Sequence, residues 1–205
     1  MIRLCLFFAT FLTTLMSAQN NYETSMQNAL DHKDYETLTL KLENVQENYP
    51  NEWLPSYYLA FHTINNSFIN LNNEAILNEE LIKAQDYLDH AYIGNYNKAE
   101  LLVLQAKLFL VYVISNSEKY GRTYAPIISK LNNDAYLLEP ENPRVILNKA
   151  QWEIGSAKYF GTSTEKFCAD LQNAIKQFEI YKSKEVFAPE WGLKETKQAL
   201  KDCNE

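Results

Sequence analysis

The stretch that decides the fold spans residues 84–91 and reads Ala-Gln-Asp-Tyr-Leu-Asp-His-Ala. Ala84 is followed four residues later by Leu88 and three residues after that by Ala91, with mainly polar residues between them. This spacing places the three side chains on one face of a helix. It recurs, with Asn132 as a polar exception, in three other triplets: Leu38-Leu42-Val45, Ile128-Asn132-Ala135 and Phe167-Leu171-Ala174.

The triplets follow one another at similar intervals along the chain. Val45 to Ala91 is 46 residues, Ala91 to Ala135 is 44, and Ala135 to Ala174 is 39. Strict alternation of apolar and polar residues is nearly absent, which argues against strands. The pattern predicts an all-α chain of about four stacked helix pairs, with the triplets on the second helix of each pair. We expect a further helix over 190–202 to cap the last pair.

Asparagine and proline positions predict where individual helices begin. Asn142-Pro143 is a good helix start, because asparagine caps free backbone N–H groups and proline costs little at the first helical position. Thr123 is a candidate cap for a helix with Pro126 in its first turn, which makes 116–123 a predicted loop. On this interpretation no proline interrupts a helix interior.

The N-terminal residues 1–18 have the pattern of a secretory signal peptide. Arg3 provides the positive charge, 4–15 form a mostly apolar core, and Ala18 offers a small residue before cleavage. The apolar run is shorter than a spanning helix needs, which disfavours the alternative of an uncleaved anchor. We therefore expect a signal peptide at 1–18 and an exported domain at 19–205 that does not span a membrane.

The charge of the exported domain is acidic. The chain carries 19 basic and 26 acidic residues, and removing Arg3 leaves 18 and 26, a net charge of -8. Nucleic-acid partners require concentrated lysine and arginine, so this balance argues against them.

Two cysteines remain after cleavage, Cys168 and Cys203. A short turn near 183–189 should make the last two helices antiparallel, which brings both cysteines to the same end. In an oxidising compartment this arrangement predicts a disulfide, although two unlinked thiols remain the alternative.

No short catalytic or metal-binding motif is present. Asp86 and His90 lie four residues apart on one predicted helix face, but the sequence offers no third metal ligand near them. Glycine-rich phosphate loops and nucleophile-elbow or zinc-protease spacings are also absent. We therefore expect no metal, no cofactor and no enzymatic activity, with an enzyme of unrecognised type as the least favoured alternative.

The helical pattern resembles a degenerate tetratricopeptide repeat. Pro50 is followed by Leu59 and Ala60 at the family's spacing, while Pro140 is followed by Lys149 and Ala150 and so keeps only the small residue. The resemblance implies a right-handed α-α solenoid of about four helix pairs plus a C-terminal capping helix. It also implies that a concave face carries the partner-binding residues Tyr57, Phe61, Asn65, Lys107, Arg144 and Gln151.

The segments 138–144 and 189–192 look like those of uncharacterised exported repeat proteins of Bacteroidota. This resemblance implies a location in the periplasm or outer envelope and implies no activity.

The favoured function is a non-enzymatic module that binds a protein or peptide partner on its concave face. The alternative is a binding protein for a small apolar or glycan ligand, held by aromatic residues on the third and seventh helices. Those aromatic residues are Trp53, Tyr57, Tyr58 and Phe61 on the third helix, and Trp152, Tyr159 and Phe160 on or just after the seventh.

Overall fold

The structure is a computed structural model that describes residues 19–94, 96–183 and 185–204. The predicted signal peptide at 1–18 lies outside the described residues. Within them the chain is all-α, as the spacing predicted, and contains no strand. The helices are α1 (19–30), α2 (Tyr35–Asn48), α3 (Trp53–Ser67), α4 (Glu74–Ala91), α5 (Lys98–Ser115), α6 (Ser117–Leu138), α7 (Pro143–Phe160), α8 (Glu165–Ile180) and α9 (Leu193–Asn204), with a short 3₁₀ turn at Phe68–Asn70.

Neighbouring helices along the chain pack against one another. The most extensive contacts are those of α3 with α4, of α5 with α6 and of α7 with α8, and α9 packs on α8. The four triplets lie on α2, α4, α6 and α8, where every member except the partly buried Phe167 is buried. Across the part of the chain that the structure describes, no helix is both long and apolar enough to cross a membrane.

Several helices begin with an asparagine or aspartate whose side chain accepts a hydrogen bond from the first turn. Asp34, Asn73, Asn97 and Asn116 cap α2, α4, α5 and α6 in this way. Asn142 accepts from the Arg144 backbone N–H at 3.0 Å and is followed by Pro143 at the first helical position. The predicted start of α7 is therefore confirmed.

The predicted start of α6 at Thr123 is wrong. The helix begins at Ser117, so Pro126 lies inside it and 116–123 is not a loop. Two features favour the longer helix: the Asn116 cap and the aromatic contacts that its first turns make with α5. The Tyr124 ring stacks on Phe109 at 4.7 Å. This packing offsets the backbone hydrogen bond that Pro126 cannot donate.

A disulfide joins α8 to α9. The sulfur atoms of Cys168 and Cys203 are bonded and their Cα atoms are 5.9 Å apart, within the usual range. Cys203 packs against the small apolar cluster that contains Leu147 and Leu171. The bond therefore fixes the last helix on the C-terminal half of the molecule.

Candidate functional site

Three of the predicted partner-binding residues converge on one tryptophan. The Trp191 indole stacks on Phe61 with ring centroids 4.9 Å apart, and Lys107 Nζ lies 4.7 Å from the indole centroid. Trp191 Nε1–H donates to the Tyr57 hydroxyl at 2.8 Å. We call this group, Trp191 with Tyr57, Phe61 and Lys107, the Trp191 site. Trp191 also contacts all three apolar clusters of the described core.

A buried ion pair lies directly beneath the Trp191 site. Arg144 Nη2 is 2.7 Å from the Glu100 carboxylate, and both side chains are almost completely buried. Tyr57 donates its hydroxyl proton to Glu100 at 3.1 Å, and Asn142 donates to Glu100 at 2.6 Å. The network pairs each charge with its opposite and with hydrogen-bond partners, which is the condition for burying charge.

The same surroundings shift the pKa values of these groups. Burial and the nearby Glu100 carboxylate raise the pKa of Tyr57 well above its usual value, so the phenol stays protonated. Burial alone lowers the pKa of an arginine, but the attraction of Glu100 outweighs it and raises the pKa of Arg144. Burial lowers the pKa of Lys107. Tyr57 and Arg144 therefore keep their protons at neutral pH.

The segment of the same chain that holds Trp191 covers the α3 residues of this site. Trp53 Nε1–H donates to the Glu185 carboxylate at 2.6 Å, and Tyr58 donates its hydroxyl proton to the Phe187 carbonyl at 2.9 Å. Gly192 has a φ of +115°, and a Cβ there would lie 2.7 Å from the Phe178 ring. The segment that holds Trp191 thus lies across α3 in close contact, where the sequence predicted a partner.

The other predicted partner-binding residues do not join the Trp191 site directly. Arg144 reaches the site only indirectly: it donates to Glu100, which also accepts a hydrogen bond from Tyr57. Asn65 is half-buried on α3, and Gln151 is exposed on α7.

A second, open site lies between α6, α7 and the start of α8. This pocket, which we call the α6–α8 pocket, has a volume of about 700 Å³. Its volume falls in the range of small-molecule sites. Its lining residues are Ser129, Asn132, Asn133, Lys149, Trp152, Glu153, Ser156, Ala157, Phe160, Thr162, Ser163, Lys166 and Phe167.

Aromatic side chains dominate the apolar part of this pocket. Trp152 is held in place because its Nε1–H donates to the Ser129 hydroxyl at 2.8 Å. Phe160, at the C-terminal end of α7, is 76% exposed, and its neighbour Tyr159 is 77% exposed. The two rings are 5.1 Å apart and form a joint exposed aromatic patch, and such patches mark candidate binding surfaces. Trp152, Tyr159 and Phe160 are the α7 aromatic residues that the sequence pointed to.

Two lysines lie at the rim of the pocket. Lys149 pairs with Glu153, and Lys166 lies over the Phe167 ring at 4.5 Å. Asp170 is close enough to interact with both lysines. The rim therefore offers ammonium groups to an acidic ligand, with the carboxylates of Glu153 and Asp170 beside them.

The lining residue Asn132 pairs with a second buried amide, that of Asn148. Asn148 Nδ2 donates to Asn132 Oδ1 at 2.6 Å. Asn132 is 2% exposed, and its own Nδ2 has no hydrogen-bond partner among the described residues. Asn132 is the polar exception in its triplet, and nothing in the local sequence links it to a pocket.

No grouping of three or more histidine, cysteine, aspartate or glutamate side chains suited to a metal occurs within 19–94, 96–183 and 185–204. His90 Nδ1 instead lies 2.7 Å from the Asp86 backbone carbonyl.

No family model matches this sequence, and no curated protein matches it significantly. A solved structure does: the chain is similar to the HusA haemophore from Porphyromonas gingivalis, with a TM-score of 0.74 and 21% sequence identity. The similarity covers 90% of this chain and 92% of that one. At this level of identity the comparison shows that the two proteins share a fold.

Proposed function

We propose that this protein is an exported, non-enzymatic binding protein for a flat apolar ligand with acidic groups, and that haem is such a ligand. The observation that carries the proposal is an open aromatic pocket with a lysine rim on a fold shared with a haemophore. The proposal favours the small-ligand interpretation of the sequence over capture of a protein partner.

The α6–α8 pocket fits the two chemical parts of such a ligand. Trp152, Phe160 and Phe167 offer ring faces and edges against which a planar macrocycle can stack. Covering the exposed Phe160 ring is favourable, at roughly 25 cal/mol for each Å² of apolar surface removed from water. Lys166 lies at the same pocket, as does Lys149 with its partner Glu153, and a ligand carboxylate such as a haem propionate can pair with Lys166 or compete with Glu153 for Lys149.

The pocket does not offer the usual ligands of haem iron. None of the described residues that line it is a histidine, methionine, cysteine or tyrosine. On this proposal the ring faces and the acidic edge hold the ligand, and the iron atom contributes little to affinity.

Three parts of the sequence interpretation belong to this proposal. They are export through residues 1–18, a location in the periplasm or outer envelope, and the tetratricopeptide-like solenoid arrangement of the helices. Capture of a protein partner by Tyr57, Phe61, Asn65, Lys107, Arg144 and Gln151 stays a prediction. Such a partner must displace Trp191 from Phe61 and Tyr57.

Titration of the purified protein with haemin, followed by absorbance and tryptophan fluorescence, tests the proposal. We expect saturable binding with one ligand per chain. Phe160→Ala and Trp152→Ala should each weaken binding about tenfold, because truncating a central aromatic contact costs more than 1 kcal/mol. Ile69→Ala is the matched control, since Ile69 is equally exposed, at 80%, and lies outside the pocket. Absent or unsaturable haemin binding, or equal losses in the control, contradicts the proposal.

A further inference from the structure

We infer that Asn132 determines ligand specificity in the α6–α8 pocket, by donating a hydrogen bond from its buried amide to an acceptor on the ligand. The inference rests on the proposed function and narrows it. The pocket selects flat ligands that carry a carboxylate or carbonyl oxygen on the edge that enters it.

Packing does not require asparagine at this position. The corresponding residues of the other triplets are Leu42, Leu88 and Leu171, and each of them is completely buried. Asn132 is nearly as buried, at 2% exposed, and lies between the buried residues Ile128 and Ala135 on α6. The equivalent positions are thus filled by leucine, and the core explains only the Oδ1 of Asn132, which accepts from the buried Asn148.

The amide of Asn132 is only half satisfied. Its Oδ1 accepts from Asn148 Nδ2, whereas its Nδ2 has no acceptor within the described chain and almost no exposed surface. Buried donors without an acceptor are rare in folded proteins, and each needs a reason. A ligand oxygen that displaces a lining side chain and accepts a hydrogen bond from Nδ2 gives this donor a reason.

The neighbouring residues indicate the type of acceptor. Lys149 follows Asn148 on α7 and lines the same pocket together with its ion-pair partner Glu153. Lys166, at the start of α8, also lines it and has the Asp170 carboxylate nearby. A carboxylate is the acceptor that benefits from both an amide donor and ammonium groups, since hydrogen bonds to charged groups are the stronger ones. The acidic edge of the ligand therefore enters toward α6, and the apolar part lies against Phe160.

The test is the double variant Asn132→Leu/Asn148→Leu, which removes both amides and leaves neither unpaired. We expect a higher melting temperature, because replacing both partners with apolar groups of similar size avoids the buried unpaired donor. Haemin affinity should nevertheless fall about tenfold, the usual effect of losing one hydrogen bond to a charged group. Asn173→Leu, on the exposed face of α8, is the matched control and should change neither quantity.

A second ligand distinguishes a change in ligand specificity from a general loss of binding in the pocket. For a porphyrin whose propionates are replaced by ethyl groups, the double variant should bind at least as well as the natural protein. Unchanged haemin affinity in the folded double variant overturns the role of Asn132 and leaves the proposed function standing. Absent haemin binding by the natural protein overturns both.

A measurement without any substitution covers the case in which the double variant does not fold. In NMR spectra of the natural protein, the side-chain amide protons of Asn132 should move downfield when the diamagnetic gallium protoporphyrin IX is added. Unmoved Asn132 amide signals at saturating ligand overturn the inference.

Discussion

The Trp191 site and the α6–α8 pocket are built from the same kinds of residue and do opposite things. Each combines tryptophan, phenylalanine and lysine side chains beside a buried polar pair. At the Trp191 site the chain supplies its own occupant, and Glu100 and Arg144 are fully paired beneath it. In the pocket the Phe160 ring faces solvent, and the Nδ2 donor of Asn132 has no acceptor among the described residues. Residue composition alone therefore does not distinguish a cluster that the chain fills itself from an open pocket, whereas the exposure of the Phe160 ring does.

The largest expected effect is the loss of the buried ion pair. Arg144→Met should lower the free energy of unfolding by about 3–5 kcal/mol, because the Glu100 carboxylate is left buried without its counter-charge. Urea unfolding followed by circular dichroism measures this change. The double variant Arg144→Met/Glu100→Gln is the control and should recover most of the loss. A single variant as stable as the natural protein contradicts a structural role for this network.

The next effect concerns the occupant of the Trp191 site. Trp191→Ala removes the stacking on Phe61 and the hydrogen bond to Tyr57, and should cost about 3 kcal/mol of stability. Haemin affinity of the folded variant should be unchanged, since the α6–α8 pocket does not include Trp191. Haemin affinity that rises or falls more than a few-fold while the fold is intact reassigns the ligand to the Trp191 site.

Acidification should lower the free energy of unfolding through His62, whose ring lies 5.2 Å from the Phe61 ring of the Trp191 site. Burial lowers the pKa of His62 to about 4 from 6.5, and the charge of Lys33 acts in the same direction. A depressed histidine pKa means that the unfolded chain takes up the proton first. His62 therefore contributes its full stabilisation above pH 6.5, and the contribution is lost as the pH falls toward 4.

The His62 contribution at pH 5 should be about 2 kcal/mol smaller than at pH 7. Urea unfolding of the natural protein and of His62→Gln at both pH values measures it, because the difference between the two proteins removes the effect of other titrating groups. A difference that stays constant between pH 7 and pH 5 shows that His62 does not titrate in this way.

The smallest expected effect is electrostatic and belongs to the pocket. Replacing Lys149 and Lys166 with alanine should weaken haemin binding about fivefold, since exposed ion pairs contribute up to about 1 kcal/mol. It should also flatten the dependence of affinity on salt. Lys194→Ala/Lys197→Ala on α9 is the matched control. A salt dependence equal in the natural protein and the pocket variant argues against recognition of an acidic edge.

The class of the fold could be predicted from the sequence, because Leu42, Leu88 and Leu171 repeat with the geometry of a helix and are buried as that geometry requires. The start of α6 could not be, since proline at position 126 ordinarily marks a first turn and only the contact of Tyr124 with Phe109 favours the longer helix. Local pattern fails where contacts between helices decide the outcome.

The sites were predicted less well than the fold for the same reason. Trp191 meets Tyr57 across 134 positions of sequence, and its segment has no periodicity that indicates where it packs. The α7 aromatic residues and Asn132 stood out in the sequence, but nothing local to them showed that Ser129 and Lys166 line the same pocket. Residue types were visible in advance, and their grouping was not.

Locating the ligand on the chain decides between the two sites. Iron(III) in haemin is paramagnetic and broadens the NMR signals of nearby nuclei, so one assigned spectrum of the complex maps its position. We expect broadening around Trp152, Phe160 and Lys166, with the signals of Trp53, Phe61 and Trp191 unaffected. Broadening centred on Phe61 and Trp191 contradicts the proposed function as assigned, because the ligand would then bind at the Trp191 site and not in the α6–α8 pocket.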